Sequence, residues 1–156
     1  MVHLDLSGCL GIEKLPESFR ELNLVHLNLP NCASVKGVSE SLRDLTNLQY
    51  LNLSYCPNIG ELSISLSSLK ELRYLNLSFS SYLEGWPSAD VLGTLNKLEY
   101  LNLPSELSVL RKLPEALGSF TELKYLHLSG CRRIIVLPKI NWEAKKFGAL
   151  RFITLL

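Results

Sequence analysis

No run of 18 apolar residues occurs anywhere in the 156-residue chain, so no helix of it is expected to span a membrane. No apolar leader is expected at the start either, because Asp5 and Glu13 interrupt the region where it would sit. Charge of one sign is missing: 16 Lys and Arg stand against 15 Asp and Glu. The resulting net charge of +1 gives no reason to expect a nucleic-acid or membrane-surface partner. The marks of common catalytic sites are missing as well. There is no G-x-x-x-x-G-K-[ST] phosphate loop, no G-x-S-x-G nucleophile elbow and no H-E-x-x-H zinc helix. His127 beside Ser129 is not a triad, since strand alternation alone places them on one face. The four cysteines include no C-x-x-C pair and none has a histidine at ligand spacing, which argues against zinc. With 47% hydrophobic and only 20% charged residues, the chain is nevertheless composed for a packed fold.

What the chain has in quantity is one phrase, L-x-x-L-x-L. It stands at residues 24–29, 48–53, 72–77, 98–103 and 123–128, with degenerate copies at 1–6 and 150–155. The starts at 1, 24, 48, 72, 98, 123 and 150 are 23 to 27 residues apart. Self-similarity at this period marks a leucine-rich repeat. The expected fold is an α/β solenoid, a horseshoe with short parallel strands on the concave face and loops with helical or 3₁₀ turns on the convex face. Residues 1–156 are expected to form a single array of about seven repeats. Both ends fall within repeats without a polar cap, which suggests a fragment of a longer protein.

The return arms carry apolar residues three to four apart, such as Leu42 and Leu45 or Leu66 and Leu69, which suits a helical or 3₁₀ turn. Repeats one to three share one register, and later repeats drift from it. Repeat four inserts two residues around Ser88-Ala89-Asp90, and repeat five puts Pro104 and Glu106 where serine and cysteine are expected. Repeat six has an enlarged arm, where Asn141 as N-cap and Gly148 just past the end would bound a helical turn or two. Such insertions map to loops on one face, often a binding face.

Within each frame the leucines should point inward and the residues between them outward. The third residues read His3, His26, Tyr50, Tyr74, Tyr100, Tyr125 and Phe152; the fifth read Asp5, Asn28, Asn52, Asn76, Asn102, His127 and Thr154. An aromatic column beside an amide column is therefore expected on the concave sheet. Tyr50, Tyr74, Tyr100, Tyr125, Asn76, Asn102, His127 and Glu106 are the candidate partner-binding residues, because aromatics on a weakly charged surface resemble interface anchors. The same columns could instead stabilise themselves by stacking and hydrogen bonding. In the first case, replacing Tyr74, Tyr100 and Tyr125 with Ala should weaken binding and leave folding largely intact. The charged second residues Arg73, Glu99, Lys124 and Arg151 alternate in sign and read as a solvated rim.

Cys9, Cys32, Cys56 and Cys131 each follow the middle leucine of their frame by five residues, so they form one column. There the chain turns out of the strand, and a small, partly polar side chain can cap backbone groups. Buried reduced thiols fit this column better than disulfides. Asn52-Leu53-Ser54 and Asn76-Leu77-Ser78 match the glycosylation triplet, but the frame already accounts for both.

The fuller phrase at 123–138, with Ser129, Cys131, Ile134 and Leu137-Pro138, and the L-P-E-S/A-L/F phrases at 15–19 and 113–117, resemble the repeat region of plant nucleotide-binding leucine-rich-repeat disease-resistance proteins. That resemblance implies a cytoplasmic sensor and autoinhibitory module acting in defence. Its implied partner is a protein: a pathogen effector, a guarded host protein or the parent's own nucleotide-binding domain. It implies no enzyme activity and no cofactor in this chain, because the nucleotide site of that family belongs to the switch domain. The substrate-recognition repeats of an F-box ubiquitin-ligase receptor and an intracellular Ras-group repeat scaffold are the alternatives. Plant receptor kinases and extracellular receptors fit less well, since they carry N-x-L-x-G-x-[IL]-P after the strand.

Overall fold

The computed structural model describes residues 2–36, 38–59, 62–80, 89–103, 115–128 and 151–153. Seven strands lie side by side in one parallel sheet, in chain order: β1 (Val2–Asp5), β2 (Leu24–Asn28), β3 (Tyr50–Asn52), β4 (Tyr74–Asn76), β5 (Tyr100–Asn102), β6 (Tyr125–His127) and β7 (Arg151–Ile153). Between them run α1 (Val38–Leu42), α2 (Ser63–Leu66) and α3 (Ala89–Gly93), with 3₁₀ turns at Glu17–Glu21 and Glu115–Ser119. All are too short to be stable alone and hold through packing. The return arms are thus helical or 3₁₀, as the three-to-four spacing of their leucines predicts.

Strict alternation explains the strands. Leu27, Leu29, Leu51, Leu53, Leu75, Leu77, Leu101, Leu103 and Leu126 are buried, while the residues between them on the strands are partly or fully exposed. Leu42, Leu66, Leu92 and Leu117 face them from the return arms, with Phe19 and Phe120 filling the wider gaps, in one continuous core. Backbone bonds run from repeat to repeat without a break: Leu29 N–H donates to the Asn52 carbonyl, Leu53 to Asn76 and Leu77 to Asn102, each at 2.9 Å.

The register follows the leucine frame over six strands. His3, His26, Tyr50, Tyr74, Tyr100 and Tyr125 stand opposite one another in succession. At β7 it departs from expectation: Phe152, not Ile153, stands opposite Leu126, and Arg151 stands opposite Tyr125. A slip of one residue exchanges the two faces of a strand, so Phe152 does not continue the tyrosine column. The expected helical turn from Asn141 to Gly148 lies outside the described residues, as does Ser88 of the fourth-repeat insertion, whereas Ala89 and Asp90 open α3.

Candidate functional site

The third-residue column is a stack of rings. His3 and His26 lie 5.2 Å apart between centroids, His26 and Tyr50 3.8 Å, Tyr50 and Tyr74 4.2 Å, and Tyr74 and Tyr100 4.2 Å, all within 14° of parallel. The strand spacing of roughly 4.8 Å sets this distance, because parallel strands in register bring equivalent side chains together at each step. Tyr125 breaks the series, tilted by 43° at 6.1 Å from Tyr100 and more exposed than Tyr50, Tyr74 and Tyr100. His127, one column over, packs on Tyr100 at 4.8 Å.

Stacking spends the ring faces and leaves edges and hydroxyls for anything outside. The Tyr74 hydroxyl lies between those of Tyr50 and Tyr100, and burial together with those neighbours pushes its ionisation well above the usual phenol range. This stretch offers a row of hydroxyls along Tyr50, Tyr74 and Tyr100. The same packing corrects the expectation that these tyrosines can be removed freely. An aromatic pair contributes about 0.5–1.5 kcal/mol beyond its buried area, so replacing Tyr74, Tyr100 and Tyr125 with Ala costs stability as well as surface.

The fifth-residue column is a hydrogen-bonded ladder at one end and open at the other. Asn28 Nδ2 donates to Asp5 Oδ2 at 3.0 Å, and Asn52 Nδ2 donates to Asn28 Oδ1 at 2.9 Å. Within a repeat, the side-chain oxygen also accepts from the backbone N–H two residues on. Ser7 donates to Asp5, Ser54 to Asn52 and Ser78 to Asn76, at 2.9–3.1 Å. The Ser7 hydroxyl also donates to Asp5 Oδ1, and this bond, then Asn28 and then the Ser7 N–H, hold Asp5 below the usual carboxylate range. The backbone bonds also engage Asn52 and Asn76 in their own strand ends, which supports chance as the source of the two glycosylation triplets.

Asn102 is the exception. Its Oδ1 is buried and accepts no hydrogen bond. Two substitutions explain this. Residue 104 is proline and has no N–H to offer, and the next strand carries His127 where an asparagine amide would donate. Asn28 is followed by Pro30 in the same way, but there Asn52 supplies the missing donor. Beside Asn102, the Asn76 amide nitrogen donates to no described residue. Glu106 lies outside the described residues, so its place relative to this surface is not described.

Among the described residues, charge borders the face along the second-residue positions. Glu99 bridges Arg73 at 2.6 Å and Lys124 at 2.5 Å, and these cations hold its carboxyl below the ordinary range. The second-residue positions are thus an ion-paired rim, weak in energy and open to salt.

The cysteine column behaves as a clasp between repeats. Cys32 Sγ donates to the Leu6 carbonyl at 3.2 Å and Cys56 Sγ to the Leu29 carbonyl at 2.9 Å. Ser80 continues the series with its Oγ on the Leu53 carbonyl at 2.6 Å. Burial pushes the Cys56 thiol up to about 11. Cys9, Cys32 and Cys56 are free thiols, and Cys131 lies outside the described residues.

A family model described as Leucine Rich Repeat matches residues 47–69, the third turn of this array. Together with the seven-stranded parallel sheet, this match supports a leucine-rich-repeat region. No curated protein matches it significantly. Leucine-rich repeats are generally non-catalytic modules that bind proteins. Two features of this leucine-rich-repeat face were hidden in the sequence. The first is the orphaned oxygen of Asn102, for which Pro104 was the available signal. The second is an exposed aromatic pair, Tyr55 and Phe79, stacked at 4.6 Å just past the strands. No helix among the described residues is long and apolar enough to cross a membrane, and none of their His, Cys, Asp and Glu side chains cluster to hold a metal.

Proposed function

We propose that this leucine-rich-repeat region is the sensor and autoinhibitory repeat module of a plant intracellular immune receptor, binding protein through the outward face of β3–β6. The observation that carries the binding surface is the stacked row of Tyr50, Tyr74 and Tyr100, with its hydroxyls, beside the open carboxamide step at Asn76 and Asn102. A folding unit gains nothing from an orphaned acceptor, which costs about 1–3 kcal/mol when buried. The plant-receptor origin rests on the L-P-E phrases and the cysteine-type repeat. On this reading the module works in the cytoplasm, and its partner is an effector, a guarded host protein or the parent's nucleotide-binding domain.

The test keeps the stack and removes the hydroxyls. In the parent protein, Tyr50→Phe, Tyr74→Phe and Tyr100→Phe together should lower affinity for the nucleotide-binding domain or effector about tenfold or more. That corresponds to losing some 1.4 kcal/mol or more of hydrogen bonding. Far-ultraviolet circular dichroism should stay unchanged. Full affinity in the triple variant takes the tyrosine row out of the interface. An F-box ahead of the repeats in the parent overturns the receptor assignment and favours a ubiquitin-ligase substrate receptor.

A further inference from the structure

Residue eight of the repeat, which closes each strand, has positive φ wherever this is described: 70° at Gly8, 58° at Asn31, 57° at Tyr55 and 56° at Phe79. Glycine adopts this left-handed conformation freely and asparagine tolerates it, whereas a bulky side chain there is strained. Tyr55 and Phe79 also leave 52% and 47% of their surface in the solvent. The core gains nothing from either ring. Two adjacent repeats thus keep aromatic residues where the backbone asks for glycine or asparagine, and such local strain clusters at binding sites.

The pair belongs to a neutral strip. Residues 50–55 and 74–79 read Tyr-Leu-Asn-Leu-Ser-Tyr and Tyr-Leu-Asn-Leu-Ser-Phe, without a charge. Tyr55 stands five positions after Tyr50, and Phe79 five after Tyr74, at most about 17 Å of extended chain. Asn52 and Asn76 lie between, and the Arg73–Glu99–Lys124 ion pairs stay outside the tyrosine row. An uncharged strip suits neither a phosphate nor a charged peptide. It offers hydroxyl and amide donors on one side and exposed rings on the other.

We propose that this strip binds an uncharged proline-rich segment in the polyproline-II conformation, laid across β3–β5. The proposal rests on the reading of this face as protein-binding and names its ligand class. Polyproline II has no internal hydrogen bonds, so its carbonyls require donors, which the tyrosine hydroxyls and the Asn76 amide supply. Its three-residue turn advances about 9.3 Å, and two strand steps span about 9.6 Å. Every third carbonyl therefore meets equivalent groups on alternate strands, such as Tyr50 and Tyr100. Proline rings pack on the edges of Tyr55 and Phe79 and on the ring face of Tyr55 turned toward Asn31. Aromatic-lined surfaces take proline-rich chains in this way because the ligand loses little entropy on binding.

Fluorescence anisotropy with the whole chain tests this, using labelled decaproline and a labelled ten-residue Gly-Ser peptide as probes. Decaproline should bind saturably and at least about tenfold more tightly than the Gly-Ser peptide. Tyr55→Asn with Phe79→Asn should weaken decaproline binding about tenfold. That variant should fold at least as well, since Asn31 shows that asparagine fits the position. Absent decaproline binding, equal binding of the two peptides or undiminished binding by the double variant overturns the proposal. If decaproline fails while the tyrosine-to-phenylalanine triple still loses its protein partner, the polyproline ligand falls and the binding face stands. If both fail, the face is a scaffold.

Discussion

Pro104→Ser should make this protein more stable. Asn102 Oδ1 is a buried acceptor without a donor, whereas Asn52 and Asn76 receive one from the backbone N–H of Ser54 and Ser78 at 3.1 and 3.0 Å. An orphaned buried acceptor costs about 1–3 kcal/mol, and serine at 104 restores the N–H that satisfies it elsewhere. Removing proline frees the unfolded chain and returns about 0.4–1 kcal/mol of that gain. The net is about 1 kcal/mol, or roughly 2–4 °C in Tm for a chain of this size. Calorimetry and urea unfolding measure it, with two controls. In an Asn102→Ala background the same substitution should give no gain, because the acceptor is gone. Pro30→Ser should also give little, because Asn28 Oδ1 already accepts from Asn52. An unchanged or lower Tm for Pro104→Ser, or an equal gain in the Asn102→Ala background, would refute the reasoning.

Two further outcomes follow from the core and from the histidines. Leu101→Ala empties a fully buried position between Leu75 and Leu126 and should cost about 2–5 kcal/mol in urea unfolding, whereas a cost under about 1 kcal/mol would mean the repeats collapse around the cavity. Stability should fall as pH drops from 7.5 towards 5. Desolvation, and for His26 also its neighbour His3, lowers the pKa of His26 and His127 below the usual 6.5, so the unfolded chain takes up protons that the folded chain refuses. The stability tied to these neutral rings is present above 6.5 and is lost below it. The depressed carboxyls of Asp5 and Glu99 extend the loss to lower pH. His26→Tyr should flatten the upper part of this profile; a wild-type profile already flat between pH 7.5 and 5.5 would contradict it.

The leucines made the fold legible because alternation and a fixed period together determine both faces of every strand and the partner of each strand. The register therefore followed from counting for His3 through Tyr125. It failed at β7, where Ile153 replaces the middle leucine and no Tyr-Leu-Asn phrase fixes the phase. Columns tell which residues become neighbours but not how their rings turn. Stacking along Tyr50, Tyr74 and Tyr100 was one of two open outcomes for that reason. The left-handed turn at residue eight was written in Gly8 and Asn31 but masked by the bulk of Tyr55 and Phe79. Pro104 stood out as a break, yet its consequence needed the geometry that gives Asn52 and Asn76 their donors.

The clasp formed by Cys32, Cys56 and Ser80 has a direction. In each case the donor belongs to the later repeat and the acceptor is the carbonyl of the last leucine in the L-x-x-L-x-L frame of the repeat before it. A ribosome makes the acceptor first. Cys32, Cys56 and Ser80 therefore each reach back to a strand that has already been made. From the second repeat to the fourth, chain growth in this order always supplies the donor after its acceptor is in place.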